Sequence, residues 1–590
     1  MAISRRNAEP GLTEFVDALE TTLRALGMDG IVAALVSHAQ RLPASSRQEF
    51  LDIFSRPGIR PPVLPDDQLL ADIDDFSRRV RDGQFDGSRD RYDDWRDDPY
   101  DDDYPSDDDY RSDDEWVPEA DALFAMTAEA FLADRLEVAR EAYCRLFPLF
   151  RPVHQEGGGL ESWMLETTDV TEAAARYLRC VYETSPLRQR GLIMYREYIV
   201  LHPSLSGRLP LLRDIVATRR GDLPCLDVFL PAWIDTLLTK PATPPAGHRR
   251  RLVTEAALLQ SGLDGLADLA RRPGPHQPGT YLDLIDALTE AGEVSLAADA
   301  ARKALTLAPV APGALAQAAD RLAELSTRLG DPTGAVEARR RAWRVAPTRE
   351  RLLALAASAQ AAGTRDEILA AEASHARTST DRLACELFLL AGQLDVAAAA
   401  LTHAQPRGWS RSDHPGPVVL PYLLVAATAA PPPAADTQLG HLFAAMDDIP
   451  AAPNHYDPEF GGGGWALDTT EEELPGHNAS GRSGAGSLAA LLTSQITAAP
   501  APAHRRQQWL ATAATVVERR IEAIVGNKHR SAYARAASLT VAYAEALIIT
   551  GVGDGNAYIA SMRQRYPRHT AFRAELDDAT YSSALARQDL

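Results

Sequence analysis

Four cysteines, Cys144, Cys180, Cys225 and Cys385, are the residues best suited to nucleophilic or metal chemistry in this 590-residue chain. Their spacing argues against both. None forms CxxC or CxC, so neither a zinc site nor a redox pair is written into the sequence. Four buried small hydrophobes is the plainer reading. Without a disulfide framework, the cytoplasm is the expected compartment. The histidines are scattered, and no two lie i, i+4 on an expected helix beside a carboxylate. His154 and Glu156 adjoin the glycines at 157–159, which is a loop pattern. HExxH, GxSxG, P-loop and Rossmann patterns are absent. The glycine runs at 461–464 and 476–486 lack a GK[ST] ending and a preceding strand, so they read as an irregular insertion. No catalytic residue, cofactor or metal ligand is therefore expected. An enzyme would need a site assembled from distant residues.

Charge is the second kind of chemistry on offer. Residues 90–116 hold fourteen acids and three arginines, more than half of the chain's net charge of −21. Such a run repels itself and buries too little to offset its ordering entropy, so disorder is expected there. Its aromatics, Tyr92, Trp95, Tyr100, Tyr104, Tyr110 and Trp116, could dock on a basic groove. The opposite sign gathers near the C-terminus. Arg519, Arg520, Lys528, His529, Arg530 and Arg535 are followed by Arg563, Arg565, Arg568, His569 and Arg573. One reading is a solvated set of helix ends with internal ion pairs to Glu522, Glu545 and Glu575. The other is a basic patch for an anionic group, with Tyr533, Tyr566 and Phe572 as stacking partners. Lys528, His529, Arg530 and Arg568 are its candidate binding residues. The overall negative charge disfavours generic nucleic-acid or anionic-membrane binding, and no apolar run is long enough to span a bilayer.

The elements that must position these residues are helical. In 281–309, Leu282, Ile285 and Leu288 share one face. Gly292 ends the first helix, and Leu296, Ala297, Ala300, Ala301, Ala304 and Leu305 line a second that Pro309 stops. The grammar recurs with Leu322, Ala323, Gly330, Ala335, Ala342 and Pro347, at the same Gly-to-Ala-to-Ala-to-Pro intervals. Small residues at fixed positions let paired helices approach closely, and stacked hairpins share a core. Tyr281, Leu284, Gly292, Ala297, Ala304 and Pro309 resemble the signature of the tetratricopeptide repeat. Ala301 and Arg339 stand where that family carries a large aromatic. The resemblance is partial at 352–373, at 383–404 and at 122–147. It implies an all-α, helical-hairpin repeat solenoid, here with a disordered acidic insertion. It also implies a concave surface for a protein or peptide partner. Tyr281, Asp283, Asp286, Arg321 and Glu324, on the inner helices, are the candidate recognition residues.

The stretches LDVFLPAWIDTLL and RLVTEAALLQSGLDGLADLAR, the repeats, and IVGNKHRSAYARAA are also similar to uncharacterised helical proteins of high-GC bacteria. Some of these accompany a SWIM zinc finger. The zinc motif is missing here, so no metal carries over. The alanine, proline and arginine bias suggests the same kind of source. The expected organisation is N-terminal helices at 1–60 and a proline-rich then acidic linker at 61–118. A repeat body follows at 119–405, then a buried helix with an irregular insertion at 406–504, and a basic helical block at 505–590. Within 226–238 the chain is apolar enough to be buried, and Pro231 should start or kink its helix. The expected function is a non-catalytic scaffold in the bacterial cytoplasm. The alternatives are nucleic-acid association through the basic block, with the acidic tract as autoinhibitor, or an enzyme with an unrecognised site.

Overall fold

The computed structural model describes residues 21–22, 65–85, 116–150, 160–205, 209–240, 246–307, 312–409, 411, 413–434, 436–448, 487–498 and 501–586. Apart from Thr21 and Thr22, the N-terminal helices expected at 1–60 lie outside them, as do the acidic tract through Glu115 and the glycine-rich region at 451–486. The fold is all-α, with helical hairpins as its repeating element. Among the described residues the one β-type contact is an isolated bridge between Phe150 and Leu160. They fall into two compact units, one up to Asp283 and one from Leu284 on.

In chain order the first unit holds α1 (Asp66–Arg81), α2 (Val117–Leu132), α3 (Leu136–Leu146), α4 (Val170–Thr184), α5 (Arg190–Leu201), α6 (Leu212–Ala217), α7 (Leu226–Thr239) and α8 (Ala246–Arg271). The boundary falls inside α9 (Gln277–Glu290). Two features depart from the sequence reading. Residues 66–81, within the stretch read as linker, form a helix that packs on α2 and α3 through buried Leu69, Ile73 and Phe76. Their i, i+4, i+7 spacing is helical, but charged neighbours mask it. Trp116, counted above with the acidic tract, is 3% exposed and sits 5.9 Å from the Phe150 ring. It belongs to the core. As for Pro231, α7 continues through it.

The second unit continues with α10 (Val294–Ala304), α11 (Pro312–Arg328), α12 (Pro332–Val345), α13 (Arg349–Ala361), α14 (Arg365–His375), α15 (Arg382–Leu390) and α16 (Leu394–His403). Next come α17 (Gly416–Thr428), α18 (Gln438–Ala444), α19 (Leu488–Ala498), α20 (Ala503–Ile521), α21 (Tyr533–Thr550), α22 (Gly555–Arg565) and α23 (Thr570–Tyr581). From α10 to α17 each helix packs against the next. Helix α17 is apolar all round and correspondingly buried at nearly every position, touching α15, α16, α18, α20 and α21.

One joint recurs. Gly292, Gly330, Gly363 and Gly392 each end the first helix of a hairpin with φ between 71° and 82°. Each time, the following N–H reaches back to a carbonyl five residues earlier: Glu293 to Leu288, Asp331 to Ser326, Thr364 to Ala359, Gln393 to Phe388. This is the Schellman closure, and its left-handed residue favours glycine. The two hairpins legible by sequence are thus half of a run of four. The α2–α3 hairpin closes the same way, Arg135 N–H to Ala130 O, with Asp134 at φ 63° in the glycine's place. Asp134→Gly should therefore stabilise the first unit by up to about 1 kcal/mol. The lost Arg219 contact subtracts little, because the Asp134 side chain is 74% exposed. A rise in the denaturant midpoint at unchanged slope checks this. A fall would show that Asp134 holds the turn by its side chain.

Candidate functional site

The five residues expected on the recognition face are mostly engaged within the fold. Tyr281 is 5% exposed, and burial pushes its phenol up. Asp283 accepts from Arg250 at 2.6 Å and from Thr254 Oγ1 at 2.6 Å. Asp286 takes both Nε and Nη2 of Arg321, at 2.6 and 2.8 Å. Glu324 is the exposed member, 3.3 Å from Arg339. Asp283, Asp286 and Arg321 are half-buried because they meet neighbouring helices, and a charge there needs a partner.

The pairing follows a rule invisible in any single helix. Asp320 accepts from Arg339 at 2.8 Å and from Arg351 at 2.8 Å. Glu372, whose side chain is 2% exposed, accepts from Arg340 at 2.6 Å and from Arg344 at 2.7 and 2.9 Å. Burial pushes the Glu372 carboxyl up, but hydrogen bonds from Arg344 and Arg340 outweigh it and hold it below the usual value. Glu386 is bonded by Arg349, with Arg382 Nε 3.6 Å away. Arg349 also donates to Met446 O at 2.8 Å. The partners Arg250–Asp283, Asp286–Arg321, Asp320–Arg351, Arg340–Glu372 and Arg349–Glu386 are 31 to 37 residues apart. That separation is about one helical-hairpin repeat. These acid–arginine pairs hold successive hairpins together.

The basic C-terminal block is also largely spent inside. Arg519 donates to Thr402 O at 2.5 Å, and Arg520 to Pro406 O at 2.9 Å. Arg563 pairs with Asp577 at 2.7 Å, and Arg565 with Glu522 at 3.2 Å. Glu545 is fully buried and accepts from the Gln438 and Leu439 amides and from Ser583 Oγ, so it caps α18. Tyr533, Tyr566 and Phe572 pack on one another in the core, centroids 5.7 to 5.9 Å apart for Phe572 with each tyrosine. They are not available to stack on bases. Lys528, His529, Arg530 and Arg568 are exposed, as are Arg519, Arg535, Arg565 and Arg573. Lys528 sits at φ 58° in another Schellman turn, its N–H to Val525 O and that of His529 to Ile524 O, which turns three successive side chains outward. His529 Nε2 accepts from Arg407 at 3.2 Å, which requires that nitrogen to be unprotonated. Among the described residues, Lys528, Arg530 and Arg568 make no side-chain ion pair.

Two open clefts mark the second unit. One of about 480 Å³ lies among Arg377, Gln393, Asp395, Arg505 and Trp509, with Trp509 Nε1 donating to Asp395 at 2.7 Å. The other, about 500 Å³, runs along α20 past Glu518, Arg519, Glu522 and Arg565 beneath Pro406. The buried thiols of Cys180 and Cys385 are pushed up to about 12, chiefly by burial, so neither is a poised nucleophile. Among the described residues, no group of three His, Cys, Asp or Glu side chains could hold a metal ion, and no helix is long and apolar enough to cross a membrane.

No known protein family matches the chain, and no curated protein does. Among solved structures it aligns with a circular tandem repeat protein "with novel repeat topology and enhanced subunit contact surfaces". That alignment has 12% identity and covers 88% of this chain and 84% of that one. Its TM-score is 0.14, too low to bear on fold or function.

Proposed function

We propose that the protein is a non-catalytic helical-repeat scaffold that holds a protein or peptide partner in the bacterial cytoplasm. The observation that supports this reading best is the repeated hairpin joint together with its acid–arginine pairs one repeat apart. Both make a rigid run of similar surfaces, and repeat stacks of this kind present extended binding faces. The second helices of the hairpins keep outward faces that include Leu296, grouped by spacing with the apolar face but 54% exposed, beside Asp299, Arg302 and Lys303. Glu324 is the best-placed of the expected recognition residues. Tyr281, Asp283, Asp286 and Arg321 would act by keeping the face in shape. Purification from the source organism, with mass spectrometry of the co-purifying species, tests the reading. A protein partner in fixed ratio supports it. A solitary protein across gentle salt conditions counts against it.

A second reading, nucleic-acid association, is supported by the exposure of Lys528, Arg530 and Arg568. By charge alone the acidic tract at 90–116 would compete with any polyanion there. With three free cations, the slope of log affinity against log salt should be no steeper than about −3. Charge reversal at all three should abolish binding. A much steeper slope, measured by fluorescence anisotropy across a salt series, would place the contact elsewhere.

A further inference from the structure

Helices α16 and α20 pack side by side and run in the same direction. Asp395, in the first turn of α16, meets Trp509 and Arg505 near the start of α20. Thr402 O, at the far end of α16, accepts from Arg519 near the end of α20. Parallel packing brings both helix starts to one place, and the cleft of about 480 Å³ opens there. Gln393 and Asp395 line it from the start of α16, Arg505 and Trp509 from α20, and Arg377 from the turn after α14.

The lining is short of negative charge. Asp395 is its one carboxylate, so two guanidinium groups less one carboxylate leave a net of +1. Asp395 accepts from Trp509 Nε1 at 2.7 Å, whereas Arg505 Nη1 stands 3.8 Å from it, beyond hydrogen-bond length. Arg505 and Arg377 are both exposed, and among the described residues neither guanidinium makes a hydrogen bond. The first turn of α20 carries Arg505 and no acid, a cation where the helix dipole disfavours one. No side chain caps either helix start, with Gln393 standing before α16 and Pro502 before α20, so both positive dipole ends add to the field in the cleft. Gln393 is half-buried, and its Oε1 has no partner among the described residues. An oxygen left so is costly until a donor meets it.

We propose that this cleft docks an acidic peptide segment of a protein partner, with a carboxylate between Arg377 and Arg505 and an apolar side chain against Trp509. The inference rests on the scaffold reading and gives it a place and a chemistry. Charge complementarity sets the carboxylate, because the two free guanidinium groups and the uncapped start of α20 all favour an anion at that spot. Trp509 sets the neighbour. Its indole is half-buried and its edge is fixed by the bond to Asp395, so the ring forms a rigid wall. Two residues select a peptide over a nucleic-acid backbone. Asp395 stays in the cleft and repels a polyanion, whereas one carboxylate fits on the arginine side of it. Gln393 Oε1 needs an N–H donor, which a peptide backbone carries and a phosphodiester lacks.

Fluorescence anisotropy of a labelled, end-blocked Gly-Glu-Trp-Glu-Gly peptide on the full chain tests this. The peptide should bind, and its Gln-Trp-Gln and Glu-Ala-Glu counterparts should bind several-fold more weakly. Arg377→Ala and Arg505→Ala, both at exposed positions, should each weaken binding roughly tenfold or more, the loss of a charge-assisted hydrogen bond. Asp395→Asn should tighten it several-fold, because the asparagine Oδ1 still accepts from Trp509 while the repelling charge is gone. Damage to the fold cannot tighten binding. Lys528→Ala with Arg530→Ala should leave it unchanged. No binding, equal binding of the Gln-Trp-Gln peptide, indifference to both arginine variants, weakening by Asp395→Asn, an equal loss in the Lys528 and Arg530 variant, or ready displacement by inorganic phosphate each overturns the proposal. A co-purified protein partner whose binding survives Arg377→Ala with Arg505→Ala also overturns this site and leaves the scaffold reading standing. Peptide binding with the expected variant pattern in a chain that co-purifies alone supports the site and counts against the scaffold reading only.

Discussion

Glu386→Gln should lower the stability of the second unit by about 3–5 kcal/mol, the largest effect expected from a single polar substitution in the hairpin run. Glu386 is 1% exposed and lies between Arg349 and Arg382, whose side chains are 11% and 7% exposed. Removing its charge takes the shared buried carboxylate from two poorly solvated guanidinium groups, leaving Asp447 and Glu350 near Arg349 and Asp413 and Asp381 near Arg382 as the remaining acids. The cost is then that of poorly compensated cations, beyond the loss of hydrogen bonds. Burial raises the Glu386 carboxyl and the arginines only partly offset it, so the site is costly even when intact. Replacing Glu386, Arg349 and Arg382 together with Leu, Met and Leu should therefore recover most of the loss. Asp286→Asn is the control. Its ion pair with Arg321 joins side chains 40% and 28% exposed, and it should cost less than about 1 kcal/mol. Denaturant midpoints of the three variants at matched slopes check the set. Equal losses for Glu386→Gln and Asp286→Asn would mean that burial does not govern these pairs. Acid should act mainly at Glu372. Its carboxyl is held below the usual value, so its contribution is present above about pH 4.5 and fades as pH falls through the lowered value.

The parts of this fold that were legible are those governed by local rules. Gly292 and Gly330 stand where a left-handed residue must close a hairpin, and both close one. Tyr533, Ala536, Ala537, Thr540, Tyr543, Ala544 and Leu547 share one face of α21 by their spacing alone, and all are buried. The third and fourth hairpins were only partly legible. At the position five residues after the joint, Gly363 is followed by Ile368 where the other three hairpins have Ala297, Ala335 and Ala397. The closure survives because it depends on the glycine and the backbone, not on that alanine. The engagement of the candidate recognition residues was illegible for a different reason. A helix wheel ranks Asp283, Asp286 and Arg321 as outward and polar, but it cannot see an arginine one repeat away. Half-buried paired charges and solvent-facing charges look the same in one sequence. The contact of Arg520 with Trp409 was illegible for the same reason. His414, Trp409 and Arg520 are ordinary residues until a 111-residue separation in sequence is closed in space.

Trp233→Ala should cost the first unit about 3–5 kcal/mol, whereas Trp233→Phe should cost less than half as much. Trp233 is fully buried on α7, in the stretch whose apolar run marked it for the core. Its ring stacks on Phe229 at 5.7 Å and 21° and on Tyr198 at 5.8 Å and 29°. Phe229 in turn meets Tyr182 edge-on at 4.8 Å. Two of these neighbours anchor their polar ends: Tyr198 Oη donates to Pro210 O at 2.8 Å and Tyr182 Oη to Pro224 O at 3.0 Å. Trp233 does not, because its Nε1 is buried with no acceptor among the described residues. An unmet buried donor costs about 1–3 kcal/mol, which Trp233→Phe removes while keeping an aromatic ring between Phe229 and Tyr198. The smaller ring loses contact area, and the two changes work in opposite directions. Alanine loses the stack outright and leaves a cavity between Phe229 and Tyr198. The ratio of the two costs, read from unfolding midpoints of the first unit, separates the explanations. If phenylalanine is as damaging as alanine, the indole N–H is satisfied by a buried water, and the aromatic stack is held by a hydrogen bond as well as by its packing.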